Sequence, residues 1–346
     1  MCRAIRDSGV QLETSSGGRS RRGTRGRADA AGRRQPDPEE EPVPSIRFGL
    51  CCQFLDSPIR FRAATHRYVS TLAPAERRAY LAAIARDNAA SLGAAIERCA
   101  ELGIGAFRIT SQILPLATHP ESGYALADLD DDGTIVDTFA DAGARARALG
   151  VRLSFHPDQF VVLNSEREAV VASSVAEMAA QGAVAELVGA GVLTLHGGSG
   201  AGGLAAALER LERGVDRLPA GARTRLALEN DDRTFSPAAL LPLCERLGVP
   251  FVYDVHHHRC LPDVLDVEET TLRAAATWGE REPYFHVSSP RAAPGEGDCR
   301  PHADYVAPAD LPAAWREMRV TVDVEAKAKE RAVLALRDAV RPTTAR

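Results

Sequence analysis

Eight short apolar runs alternate with helical stretches along this chain, and that alternation limits the folds open to it. The runs cover residues 46–52, 106–109, 151–155, 192–195, 225–228, 250–254, 284–287 and 321–324. Helical patterns fill 74–103, 137–150, 169–189, 204–218, 237–248 and 267–279, with a short one at 311–316 and a closing one at 327–340. Strands joined one after another through helices are the pattern of a parallel sheet with covered faces. Eight such units over roughly 300 residues fit a single (β/α)8 TIM barrel. A doubly wound sheet is the alternative. No Gly-rich dinucleotide loop follows the first strand to support it, so no nucleotide cofactor is expected either.

A barrel of this kind gathers the carboxyl ends of all its strands at one mouth. The chain places His156, His196, Glu229, Asp254, His257, His286 and Glu325 at strand ends, with His119 and His302 on nearby loops. The most concentrated stretch is VPFVYDVHHHR at 249–259, an apolar run that ends in an acid and three histidines. A lone His beside a strand is ordinarily a packed core or rim residue. Imidazoles and carboxylates repeated at the same structural position are what a multi-metal site needs: nitrogen ligands beside hard oxygen ligands.

Composition sets the other bounds. The 346 residues are 45% hydrophobic, enough for a large core. The net charge is −5, so a nucleic-acid partner must be held by a local patch or by metal ions. Cationic side chains are nearly all Arg, with Lys only at 327 and 329. Seven scattered cysteines without a CxxC pair predict free thiols in a reducing compartment, with Cys51 and Cys52 packing at a strand end. There is no apolar run of about 18 residues and no signal-peptide core at the start, so a cytoplasmic protein without a membrane span is expected. Residues 1–45 are rich in Arg, Gly, Pro and acids and lack apolar periodicity, which predicts a disordered extension ahead of a barrel domain at 46–340. The extension reads as a dispensable tail rather than a nucleic-acid arm.

From Arg47 to Lys329 the sequence resembles the UV damage endonucleases, relatives of endonuclease IV and of xylose-isomerase-like barrels. The most specific segment is RLSFHPDQFVVLNS at 152–165; LHGG (195–198), LENDD (228–232), YDVHHH (253–258), FHVSSP (285–290), HADYV (302–306) and VDVEAKAKE (322–330) follow in the family's order. The resemblance implies two or three divalent ions, manganese being usual. His156, His196 and Glu229 match one ligand set. Glu229 also matches a bridge to a second ion shared with Asp254, His286 and Glu325. His257 and His302 match ligands of a third. His119 matches a catalytic-site histidine. Gln159 and Phe160 match a pair that probes the duplex beside a damaged base pair. The implied reaction is metal-dependent hydrolysis of a phosphodiester on the 5′ side of a UV photoproduct or other distorting lesion, by a monomer acting on double-stranded DNA and nucleoid-associated when bound to it. Histidines ligate only when neutral, so activity is expected to fall in acid.

The chain departs from that pattern at two places. Tyr284 stands where the family usually has a Lys that can be carboxylated beside the metals, and a phenol cannot become a carbamate. Leu50 and Phe54 stand near the family's partners of the probing loop. Around the ligands, Arg108 pairs with an acid or binds phosphate, and Lys327 contacts phosphate or lies on a charged helix face. Asn230 and Asp231 orient ligands or make the turn after a strand. His256 and His258 alternate with His257 and are expected to point elsewhere. The rival functions are a sugar isomerase or epimerase, an abasic-site endonuclease of the endonuclease IV type, and a non-catalytic nucleic-acid or scaffold protein.

Overall fold

Hydrogen bonds between strands that are not neighbours locate the interior of the molecule. Ser154 reaches Tyr284, and Arg108 reaches His286 and Asp323, across a ring of strands. The computed structural model describes residues 45–293 and 295–341. Its strands are β1 (Ser45–Cys51), β2 (Ala106–Ile109), β3 (Arg152–Phe155), β4 (Val192–His196), β5 (Leu226–Glu229), β6 (Phe251–Val252), β7 (Tyr284–Val287) and β8 (Arg319–Val324). All are parallel, in the order β6-β5-β4-β3-β2-β1-β8-β7. The ring closes between β6 and β7 through the Asp254–His286 bridge, where the His286 N–H donates to the Tyr253 carbonyl at 3.0 Å. This is the expected (β/α)8 barrel.

Helices Pro74–Glu101, Thr134–Ala148, Glu168–Val188, Leu204–Asp216, Pro237–Leu247, Val267–Ala276 and Lys329–Val340 follow the strands. Pro74 and Pro237 sit in first helical turns, and Gly189 and Gly248 end their helices in the left-handed conformation. The layer between helices and strands is apolar, with Phe107, Phe139, Phe155, Phe251 and Phe285 fully buried. Among the described residues no helix is long and apolar enough to cross a membrane.

Several expectations are corrected. The expected extension reached residue 45, but Ser45 already belongs to β1; residues 1–44 lie outside the described residues. The sixth strand stops at Val252 because the Asp254 carboxylate caps a new helix, Val255–Cys260, by accepting the His257 N–H at 2.8 Å. The three histidines therefore sit on a helical turn, not on an alternating strand. The expected free thiols hold for Cys51, Cys52, Cys99 and Cys244, whereas Cys260 and Cys299 form a disulfide. Their separation of 39 residues hid the pairing from sequence spacing.

Gly49 on β1 pairs in register with Asp323 of β8 and Ala106 of β2. A Cβ there would overlap the Asp323 carboxylate. Gly49→Ala should therefore destabilise the fold by about 1–3 kcal/mol, the usual cost of overpacking a filled interior. Urea denaturation measures this, and an unchanged midpoint would mean that the carboxylate does not need that space.

Candidate active site

Glu229 ends β5 at the centre of the barrel mouth and is fully buried. One carboxylate oxygen, Oε2, lies 2.8 Å from His156 Nε2 and 3.7 Å from His196 Nε2. The other, Oε1, lies 2.8 Å from His286 Nδ1 and 3.5 Å from His257 Nδ1. Its two faces thus look at two different sets of imidazoles. Three groups of residues have ligand atoms within 4.8 Å of one another: His156, His196 and Glu229; Glu229, Asp254 and His257; and Asp254, His286 and Glu325. Every strand-end residue picked from the sequence falls in one of these groups. His302 falls in none, but its Nδ1 is 3.7 Å from Glu325 Oε2.

Two atoms test whether the donors suit a cation. Asp254 Oδ2 and His196 Nδ1 are buried without a hydrogen-bond partner. Buried polar atoms are normally paired, and an unpaired carboxylate oxygen among imidazole nitrogens is the donor chemistry of a divalent ion. Asn230 holds this acid in place. Its side chain donates to the Asp254 carbonyl at 2.9 Å and accepts the Asp254 N–H at 3.0 Å, while its own carbonyl lies 2.9 Å from His257 Nδ1. Asn230 is therefore an orienting residue. Asp231 makes the turn, accepting the N–H groups of Arg233, Thr234 and Phe235. His258 points away, to Tyr253 and Asp263, and His256 to the Arg300 carbonyl.

Electrostatics follow from the crowding. Burial alone would raise the Glu229 pKa, but His286, His196 and His156 overcome it and hold the carboxyl well below its usual range. Burial opposes charge on His257, yet Asp254, Glu229 and Glu325 raise its pKa to about 9. His196 shifts the other way, because burial outweighs its acidic neighbours.

Beneath the mouth lies a polar floor. Arg108, 8% exposed, bonds to Asp323 Oδ2 at 2.8 Å and Glu325 Oε1 at 2.6 Å, and contacts His286 Nε2 at 2.9 Å. Tyr284 donates to Asp323 Oδ1 at 2.8 Å and lies 2.7 Å from Ser154 Oγ. Arg108 thus pairs with acids rather than facing solvent, and Tyr284 is too buried to touch a phosphate. Asp323 and Ser154 escaped the sequence reading. Their signal was strand parity, since Asp323 stands two residues before Glu325 and Ser154 two before His156.

The rim carries the remaining candidates. Phe160 is 78% exposed, and Gln159 beside it is also exposed. A cavity of about 450 Å³ on one side of this loop is lined by Phe160, His119, Gln112 and Glu177. A second, of about 430 Å³, is lined by Gln159, His196, Arg233 and His257. His119 belongs to no ligand group; it stacks on His66 with ring centroids 4.2 Å apart and accepts the Glu121 N–H at 3.2 Å. Lys327 is exposed. Leu50 and Phe54 are core residues, so neither faces a ligand from the first strand.

Comparison with known proteins adds the following. Residues 46–343 match the family model described as UV-endonuclease UvdE. The UV DNA damage endonuclease of Deinococcus radiodurans is 39% identical over 313 residues, covering 86% of this chain and 96% of that protein. The solved SacUVDE structure superposes with a TM-score of 0.75 at 27% identity, covering 86% of this chain and 98% of its own. Endonuclease IV from Thermus thermophilus reaches a TM-score of 0.55 at 18% identity, covering 84% of this chain and 98% of its own, a likeness of fold alone.

The raised His257 pKa has a consequence for stability without metal. A His whose pKa rises from 6.5 to about 9 on folding stabilises the fold fully below pH 6.5. That contribution declines as pH rises and is gone above about 9. In chelator-treated protein, the melting-temperature difference between wild type and His257→Gln should shrink steadily across this window. A difference independent of pH would show that His257 carries no extra proton.

Proposed function

We infer the activity from one premise: the chain belongs to the UV-endonuclease UvdE family. It is a DNA-repair endonuclease on that membership. We propose that it hydrolyses the phosphodiester on the 5′ side of UV photoproducts or similar distorting lesions, as a metal-dependent cytoplasmic monomer acting on damaged double-stranded DNA. The observation that carries this reading is the gathering of His156, His196, Glu229, Asp254, His257, His286 and Glu325 around one buried carboxylate at the barrel mouth.

His156, His196 and Glu229 would hold one divalent ion, and Asp254, His286 and Glu325 another, with Glu229 facing both. His257 and His302 are the remaining donors for a third. Such ions, manganese by family resemblance, supply positive charge against the developing charge on the phosphate oxygens and acidify an attacking water. The chain's own task is to keep these donors ionised or neutral as required and fixed in place. Asn230 does this for Asp254, and Arg108 for Glu325. Imidazoles must shed protons to ligate, so the proton on His257 competes with metal and activity should fall as pH drops.

Phe160 is 78% exposed at the position that matches the family's probing pair, and an exposed aromatic face suits stacking on a base. At the edge of the cavity it lines, its proposed role is to fill the gap in a stack that a lesion has already weakened. Exposed Arg60 and Arg62 on the loop after β1, Arg67 on the short helix His66–Val69 and Arg233 after β5 lie between strands and their following helices. They supply the local cationic surface that the net charge does not.

A duplex with one pyrimidine dimer, incubated with protein and manganese, should be nicked next to the lesion. Chelation should abolish the nick, and added manganese should restore it. Glu229→Gln should lower the rate roughly 100-fold or more, as loss of a metal-orienting group does. Phe160→Ala should lower lesion cleavage about 10-fold, the scale of one lost base-stacking contact. Undiminished nicking in chelator or in Glu229→Gln would remove the metal role, and turnover of a ketose with no nick would favour an epimerase.

A further inference from the structure

Beside the barrel mouth lies a second set of metal-ligating side chains, of which the proposed nuclease chemistry uses only His302. Cys260 ends the helix Val255–Cys260, and Cys299 lies on the loop between β7 and β8. Their Cα atoms are 5.9 Å apart, and the sulfurs are joined. One helical turn before Cys260 stands His256, buried, with its Nε2 3.9 Å from the Cys260 sulfur. Three residues after Cys299 comes His302, its ring edge-on to His256 with centroids 5.2 Å apart. The chain thus reads His-x3-Cys on a helix facing Cys-x2-His on a loop.

We propose that His256, Cys260 and Cys299 form a redox-gated cation site, separate from the Glu229 centre, that takes a thiophilic divalent ion such as zinc when the disulfide is reduced. Two thiolates and an imidazole are the donors that select such an ion over manganese or magnesium. With bonds of about 2.3 Å to sulfur and about 2.0 Å to nitrogen, tetrahedral ligands lie roughly 3.5 Å apart. The observed 3.9 Å between His256 Nε2 and Cys260 Sγ is close to that spacing, and ligation exchanges the 3.3 Å contact of Nε2 with the Arg300 carbonyl for the cation. Spacing i, i+4 puts both on one helix face. The fourth position is left to water, because His302 turns its Nδ1 to Glu325 at 3.7 Å.

Cys260 and Cys299 are only half-buried, so a reductant and a cation can reach them. A dithiol reductant donates two electrons and two protons to the sulfurs and leaves as its own disulfide. Cation binding then displaces both thiol protons. Either link clasps the loop that carries His302 to the helix that carries His257. The loop is otherwise pinned by the Pro290–His302 bridge and the Arg291 N–H donating to the Pro301 carbonyl at 2.8 Å. The proposal does not rest on the nuclease reading, since none of its three ligands is shared with it.

Cobalt(II) is the probe, because thiolate ligands give it an intense near-ultraviolet charge-transfer band that nitrogen and oxygen ligands do not. Full-length protein is reduced with a trialkylphosphine, which becomes the phosphine oxide with oxygen from water, then freed of reductant without air and titrated. The band should appear in the reduced protein, level off at the intensity of one cobalt–dithiolate site per chain, and be missing from the oxidised protein. It should vanish in Cys299→Ser, and His256→Asn should weaken cobalt binding at least 10-fold. Should Cys299→Ser misfold, reduced wild type alkylated at Cys260 and Cys299 replaces it and should also lack the band. No band in reduced wild type, a band that survives Cys299→Ser or alkylation, or an equal band in oxidised protein would each overturn the proposal. A failure of the Glu229 centre to load would leave this readout unchanged.

Discussion

A carboxylate cut off from water holds its charge only when its surroundings replace the lost hydration. Glu229 is in that position, at zero exposure with four imidazoles around it. Each imidazole comes from a different part of the ring: His156 from the end of β3, His196 from β4, His257 from the helix after β6 and His286 from β7. The fold supplies the convergence, and the convergence is what makes the mouth a candidate for cations rather than a row of ordinary ion pairs.

Below Glu229 the chain solves a second burial problem. Asp323 sits inside the barrel with no access to solvent. Arg108 and the Tyr284 hydroxyl neutralise and bond it, and Gly49 leaves room for it. Arg108 also reaches Glu325, so one guanidinium couples the floor to a candidate ligand. Where the family resemblance leads one to expect a Lys, Tyr284 cannot carry charge towards the mouth, and its hydroxyl is committed to Asp323 and Ser154. Two guanidiniums flank that place: Arg152 lies over the Tyr284 ring, 5.0 Å from its centroid, and Arg108 on β2 bonds the same Asp323. A buried arrangement this connected is costly to break at any one point, which ties the stability of the barrel to the alignment of its ligands.

Much of this was legible in the chain. Strand and helix alternation yielded the barrel because each unit repeats the same apolar period, and the acid or His at the ends of β3 to β8 marked the mouth. What escaped had physical reasons. β6 is only two residues long because Asp254 serves the next helix as a cap, a competition between strand and cap that an apolar run does not reveal. His256 and His258 do point away from Glu229, through helical spacing rather than strand alternation. Arg108 could not be assigned from its neighbours, since its partners lie 178 to 217 positions away in sequence. The Cys260–Cys299 pairing depended on a loop returning to the helix, which no local pattern encodes.

The central claim is that these donors were assembled to share cations. Anomalous diffraction at the manganese edge from crystals soaked in manganese tests it most directly. The account predicts strong peaks on both sides of Glu229, one beside His156 and His196 and one beside Asp254, His286 and Glu325. Peaks only at surface carboxylates, with none at the barrel mouth, would contradict it.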